Sequence, residues 1–354
     1  MKNRSLHLAA PALAAASLFG ASVPMAKWLL GDLSPLLLAG LLYLGCGVGL
    51  GFVTLLRAAL GGGGIQAMHI PRTDWPWLLA ATLFGGVLGP SLLMLGLTRT
   101  DGATASLLLN VEGVLTAVLA WLVFRENADR RIVLGMMAII AGALLLSWQP
   151  GGLALSSGSL LILGASLAWA IDNNLTRKVA SHDALLIAGL KGLVAGICNT
   201  ALALGTGATR PDLPVLAGSL AVGFLGYGLS LALFVVSLRT LGTARTGAYF
   251  SVAPFFGVVI ALAIWPQPPT LLFWIAAALM AAGLWLHISE RHEHEHTHEA
   301  LAHTHRHRHD AHHQHDHDFP WDGVEPHVHA HQHEAMTHRH AHYPDIHHRH
   351  DHVR

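Results

Sequence analysis

Apolar runs of about 20 residues recur along this chain as far as residue 289, and one of them is a copy of another. A helix of that length spans about 30 Å of hydrocarbon at about 1.5 Å per residue, so such runs read as membrane spans. Residues 17–41 align without a gap on residues 166–190, an offset of 149. The two copies share Ser17/Ser166, Leu18/Leu167, Ala21/Ala170 and a closing Leu-Leu-x-Ala-Gly-Leu run. A second match follows in the same order: Arg99-Thr100-x-Gly102 recurs as Arg239-Thr240-x-Gly242, preceded at equal distance by Phe84-x-Gly86 and Phe224-x-Gly226. Two ordered matches indicate an internal duplication, and a duplicated membrane half points to a transporter.

Apolar runs bounded by charge, proline or glycine clusters give ten spans, centred near residues 19, 46, 87, 114, 140, 167, 195, 226, 254 and 279. The fold class expected is therefore an all-α membrane protein of ten transmembrane helices, with a first five-helix repeat over 9–148 and a second over 157–289. An odd number of spans per repeat makes the second copy enter the bilayer inverted. One set of loops carries Lys2, Arg4, Arg57, Arg72, Arg125, Arg130, Arg131, Arg177, Lys178, Arg239 and Arg291, while the other carries only Lys27, Arg99 and Arg210. By the positive-inside rule the first set is cytoplasmic, which puts both termini in the cytoplasm of a bacterium and the chain in its inner membrane. Trp28, Trp75, Trp77, Trp121, Trp148 and Trp265 fall at span ends, where the ring prefers the headgroup layer. The basic N-terminus ahead of an apolar run resembles a signal peptide, but the duplicated segment begins inside it at Ser17, so it reads as the first span. Cys46 and Cys198 sit singly in apolar runs and read as small buried hydrophobes.

Ionisable groups inside hydrocarbon are costly, at least about 2.5–3.5 kcal/mol on insertion scales, and mark pathways. Glu112, in Asn110-Val111-Glu112-Gly113 of span four, and Lys191, in span seven, are the two deepest. They are expected to face a central cavity, either as an ion pair or as separate groups that bind substrate and exchange protons. Asp172 and Asn173, with Asn174, bring polar side chains into span six near Arg177 and Lys178, where a cap or gate fits as well as a binding site. Tyr249, Ser251 and Pro254 of span nine are further cavity candidates, the proline because it would leave a carbonyl unpaired within the span.

At Phe19-Gly20-Ala21-Ser22-Val23-Pro24-Met25-Ala26-Lys27, at Ala103 to Asn127 ending in Phe-Arg-Glu-Asn, and from Leu241 to Pro254, the chain resembles the EamA family of the drug/metabolite transporter superfamily. The resemblance covers roughly residues 9 to 289 and implies two inverted five-helix repeats that export or exchange small metabolites by alternating access. The family usually keeps a glutamate after the fourth helix of each repeat. Here that residue is Glu126 in the first copy, whereas the second reads Trp265-Pro266-Gln267. Glu126 is flanked by Arg125, Arg130 and Arg131 and reads as a cytoplasmic helix-end anchor.

Residues 290–354 are a different polymer. They hold 23 of the 27 histidines, six basic and 12 acidic residues, against 15 basic and nine acidic in residues 1–289. So polar a segment buries too little apolar surface to offset the entropy of ordering, and a disordered cytoplasmic tail is expected. Runs such as His292, His294, His296, His298 and His303, His305, His307, His309 carry closely spaced imidazoles suited to Ni, Zn, Co or Cu.

The leading reading is a secondary transporter, an exporter of small organic metabolites, with the lipid bilayer and a small-molecule substrate as partners and no required cofactor. One alternative is a divalent-metal exporter that captures ions on the tail. Another, of a different class, is a membrane-anchored metal-buffering or sensing protein, although an anchor has no need of two inverted repeats. No His-Glu-x-x-His pair, Gly-x-Ser-x-Gly elbow or phosphate-cradling loop suggests an enzyme, and nothing suggests nucleic-acid binding.

Overall fold

The computed structural model describes residues 2–31, 33–60, 70–124, 130–148, 156–179, 182–241, 246, 249–266, 268–288, 293–298, 301–307, 327–333 and 336–341. The chain divides into two units, residues 1–289 and 290–354. Among the described residues the first unit is wholly helical. Its helices are α1 (Lys2–Leu29), α2 (Pro35–Ala59), α3 (Trp75–Leu97), α4 (Gly102–Leu108 and Asn110–Phe124), α5 (Arg130–Ser147), α6 (Ser157–Thr176), α7 (Ala184–Gly205), α8 (Leu213–Gly223 continuing through Ser230–Leu241), α9 (Ala253–Ile264) and α10 (Leu271–Ile288). Among the described residues seven segments, drawn from α1 to α5, α7 and α8, are long and apolar enough to cross a membrane; α9 and α10 are apolar but shorter.

Capping follows the sequence. Asp101 accepts from the Thr104 amide at 2.8 Å to start α4, and Asp183 accepts from the Leu185 and Leu186 amides at 2.9 and 3.1 Å to start α7. At the far end of α3 the Lys27 ammonium of α1 donates to the Leu97 carbonyl, giving a helix C-terminus the positive partner that it favours.

The second helices of the two halves pack on each other, and so do the fifth. In the α2–α7 pair, Gly40 lies beside Thr200, Leu44 beside Gly196, Gly47 beside Gly192 and Leu50 beside Gly189, so the partners run antiparallel. The α5–α10 pair runs the same way, with Gly135 against Gly283 and Gly142 against Ala276. Two matched helices can cross antiparallel only if the halves that carry them point in opposite directions. In lipid no hydrophobic drive pulls apolar helices together, so close backbone approach supplies the packing energy. A Cβ built on Gly192 would stand 2.7 Å from the Gly47 amide nitrogen, closer than real carbons come. Gly192→Val is therefore expected to separate α2 from α7 and to lower the melting temperature in detergent well below that of a substitution at the uncrowded Gly51, a difference that differential scanning fluorimetry reads.

A second correspondence is a wide π turn in the middle of α3 (Thr82–Leu88) and another in α8 (Phe224–Leu229). Both fall on the Phe-x-Gly motif that the two halves share, so the duplicated motif encodes a duplicated backbone irregularity. Such turns free carbonyls from the helical ladder and recur at functional sites.

In the second unit the described residues take up strands where the composition leads one to expect disorder. Among the described residues there are four: β1 (Glu293–His298), β2 (Leu301–His307), β3 (His327–His333) and β4 (Met336–Ala341). β1 pairs antiparallel with β4 and β2 with β3, in two separate sheets. The physical reason lies in the alternation: histidine at every second residue is a period-two pattern, which is that of a strand, and threonines within it favour extended backbone.

Candidate functional site

The densest polar cluster in the helical unit is organised by one turn of α6. Asp172 is buried and pairs with Lys191 of α7, Oδ1 to Nζ at 2.5 Å, with side chains 12% and 14% exposed. Thr176, one turn on, donates to the same carboxylate oxygen at 2.8 Å and accepts from Lys191 at 3.2 Å. A buried ion pair is tolerable only when further hydrogen bonds serve its atoms, and Thr176 serves both partners. The next residue, Asn173, turns to α4, where its amide donates to Glu112 Oε1 at 3.0 Å and reaches Thr116 Oγ1 at 3.3 Å. Asn174 holds the same crossing by donating to the Thr116 and Ala170 carbonyls at 3.3 and 2.9 Å.

The π turn of α3 closes the cluster on its other side. The Gly85 carbonyl accepts both the Tyr43 hydroxyl, at 2.7 Å, and the Trp169 indole N–H, at 2.9 Å; the Gly86 carbonyl accepts the Asn199 amide at 3.0 Å. These donors come from α2, α6 and α7, so the freed carbonyls tie three helices to α3. Gly85 has no alternative here, because a Cβ would lie 2.7 Å from the Asp172 Cβ. Tyr43 continues into an aromatic column, at 5.6 Å from the Tyr227 ring, which meets Phe19 at 5.9 Å.

The expected site residues therefore separate. Glu112 and Lys191 are not partners of each other: Lys191 pairs with Asp172, and Glu112 takes the Asn173 amide. Asp172 and Asn173 belong to the centre of the cluster, with Asp172 a buried counter-ion. Asn110 is buried beside them in sequence but donates to the Leu107 carbonyl at 2.9 Å and points its amide to Met280 of α10. Tyr249 is exposed and Ser251 is half-buried. Pro254 corrects its own expectation. It occupies the first turn of α9, where no ladder bond is available to lose, so it begins the helix and frees no carbonyl within it.

Tyr43, Trp169, Asn199 and Gly85 are missing from the sequence-based candidates. Their signal is a hydrogen-bonding aromatic or amide far from the span ends, which hydrocarbon tolerates only beside a fixed acceptor. On the metal side, the described residues include no group of three His, Cys, Asp or Glu side chains placed to hold an ion. His292 and His309 lie outside the described residues, and so do the side chains of His294, His296, His298, His303, His305 and His307.

A family model for the EamA-like transporter family matches residues 8–148 and again residues 156–289, one match per half. The chain belongs to this family. Its relatives are transporters: an uncharacterized transporter of Methanothermobacter thermautotrophicus is 29% identical over 76% of this chain and 82% of its own length. The uncharacterized transporter YyaM of Bacillus subtilis is 23% identical over 69% of this chain and 82% of its own. A shorter protein of Pseudomonas paraeruginosa, the probable 4-amino-4-deoxy-L-arabinose-phosphoundecaprenol flippase subunit ArnE, is 37% identical over 22% of this chain and 65% of its own length. A solved structure described only as a protein shares the fold, with TM-score 0.58 at 18% identity over 79% of this chain and 96% of its own. This EamA-like chain is thus an integral membrane transporter, with the bilayer and a small-molecule substrate as its partners.

Proposed function

We propose that this protein is a secondary transporter that exports small organic metabolites by alternating access. It crosses the bacterial inner membrane ten times, as two inverted five-helix repeats over 9–148 and 157–289, with both termini in the cytoplasm. The observation that carries the reading is Glu112: a half-buried carboxylate at mid-span whose hydrogen-bond partner among the described residues is a neutral amide. Among the described residues Lys191 is already neutralised by Asp172, so the cluster of two carboxylates and one ammonium keeps a surplus negative charge. In a low dielectric that charge calls for a proton or a positively charged group of the substrate. Competition of the two for one carboxylate couples export to proton entry. The ArnE relatives fit this preference, since the cargo in their name bears an amine. Uptake into proteoliposomes under an imposed pH gradient tests it: labelled amines, alcohols and carboxylates of matched skeleton are compared, and the absence of gradient-driven flux for all three would remove the transport reading.

The tail supports a second, accessory role as a binder of Ni, Zn, Co or Cu. Its strand registers set His294 opposite His340, His296 opposite His338, His303 opposite His331, His305 opposite His329 and His307 opposite His327. Removal of residues 290–354 is expected to abolish nickel binding in calorimetric titration while solute flux stays within about twofold of the full chain, since no part of the Glu112 cluster lies there. Loss of both would instead place the tail in the transport cycle.

A further inference from the structure

Beyond the central cluster, the contacts of acidic and basic side chains that join the two halves among the described residues gather at one end of the helical unit. Arg57, at the end of α2, pairs with Asp183, the cap of α7, at 3.9 Å. Asp74, just before α3, takes the His182 ring at 2.7 Å, and Lys178, after α6, stands 5.8 Å over the Trp77 ring of α3. In each contact one partner comes from the first half and the other from the second. Beneath them Ile70 and Leu78 of the first half form a buried apolar cluster with Val179 and Ile187 of the second, against which Leu190 packs.

The duplication supplies an internal control. At the offset of 149, Asp183 corresponds to Ser34 and Arg57 to Thr206. Ser34 keeps the capping role, its hydroxyl accepting from the Leu37 amide at 3.4 Å, but it has no charge for a partner. Where the ion pair would stand at that end, a cleft of about 260 Å³ is lined by Ser34, Pro35, Leu36, Leu95, Thr206, Gly207 and Ala208. The same helix ends thus meet through charge at one mouth and enclose a cleft at the other.

The geometry points to Arg57, Asp74, Trp77, Lys178, His182 and Asp183 as an asymmetric gate that holds one mouth of the transport pathway closed while the Ser34–Thr206 mouth stands open. The inference rests on the alternating-access reading above, and its sidedness on the basic loops, which put the gate on the cytoplasmic face. A two-state carrier with identical mouths would divide its time equally between them. Pairs at the surface contribute about 1.4- to five-fold each, so the three contacts together bias the equilibrium by on the order of tenfold toward cytoplasmic closure.

The test uses the full chain with Cys46→Ala and Cys198→Ala, in proteoliposomes. Asp74→Cys and His182→Cys are joined by a short bifunctional thiosulfonate, and accessibility of the cleft is read in a parallel Ser34→Cys protein by a membrane-impermeant maleimide. Linking is expected to stop flux, and Arg57→Ala/His182→Ala, which opens the gate more often, is expected to slow Ser34→Cys labelling by up to about twofold, as the share of time with that mouth open falls from about nine-tenths toward one-half. Undiminished flux in the linked protein, or labelling at Ser34→Cys that is unchanged or faster in the double variant, overturns the gate. Because labelling needs no substrate, slower Ser34→Cys labelling in the double variant without any flux would leave the gate standing and remove the transport reading instead.

Discussion

Lys191→Met is expected to be the most destabilising single substitution in the polar cluster, lowering the melting temperature in detergent by on the order of 10 °C. Among the described residues its ammonium is the one cation set against Asp172, whose side chain is only 12% exposed. Removal leaves a buried carboxylate whose remaining hydrogen bond among the described residues is from the Thr176 hydroxyl. Breaking a buried pair from one side costs about 3–5 kcal/mol, whereas replacing both partners by neutral groups costs far less. The double substitution Asp172→Asn/Lys191→Met is therefore expected to recover most of the lost stability. If it melts no higher than Lys191→Met, the pair does not act as a unit. Asp172→Asn alone leaves an uncompensated ammonium and should melt close to Lys191→Met. A longer stem lets that ammonium shift toward the Thr176 hydroxyl, so a modest advantage over Lys191→Met is expected.

How far the chain reads from its sequence depends on which physical rule each feature obeys. The duplication and seven of the spans were legible because apolar length and repeated motif are linear properties. The antiparallel α2–α7 and α5–α10 crossings follow from them, once glycine is recognised as the residue that lets backbones meet in lipid. The π turns were half-legible: Phe84-x-Gly86 and Phe224-x-Gly226 mark them as a repeated feature, but periodicity at 3.6 residues per turn assumes an unbroken ladder and passes over the extra residue. Pro254 shows the opposite failure. Proline inside an apolar run reads as a break in a helix, yet the same residue at the first turn is a helix start, and only the true end of the preceding segment separates the two cases.

The pairing of charges was not legible, for a topological reason. Asp172 and Lys191 are 19 residues apart and are joined by the reversal between α6 and α7, so no helical spacing connects them. The proximity of Asp172 to Arg177 and Lys178 in sequence favours a cap, but in the structure its carboxylate faces Lys191. Tyr43 and Trp169 were hidden because their acceptor, the Gly85 carbonyl, is a backbone atom freed by the π turn and has no signature of its own. In the tail, the polar composition argues for disorder and the alternation of histidine argues for strands. Composition alone ignores the order of residues, and β1 to β4 follow the order.

Glu112→Gln is expected to lower gradient-driven transport by roughly ten- to a hundredfold while leaving insertion and melting temperature unchanged. The amide keeps an oxygen able to accept from Asn173 at the same 3.0 Å contact, so the α4–α6 crossing retains its bond. What disappears is the titratable charge. A hydrogen bond to a charged group contributes about 1.5–3 kcal/mol, and each 1.4 kcal/mol is a factor of about ten, which sets the range. Loss of charge also removes the proton-binding step, so the residual flux should no longer follow an imposed pH gradient, whereas a purely structural role predicts gradient dependence intact and a lower melting temperature. Asn173→Ala separates the two further. It leaves Glu112 ionisable without its amide partner, so flux should fall less than in Glu112→Gln and keep its dependence on the gradient. Wild-type flux in Glu112→Gln would move the surplus charge out of the mechanism and leave the Asp172–Lys191 pair as the membrane-embedded group on which coupling depends.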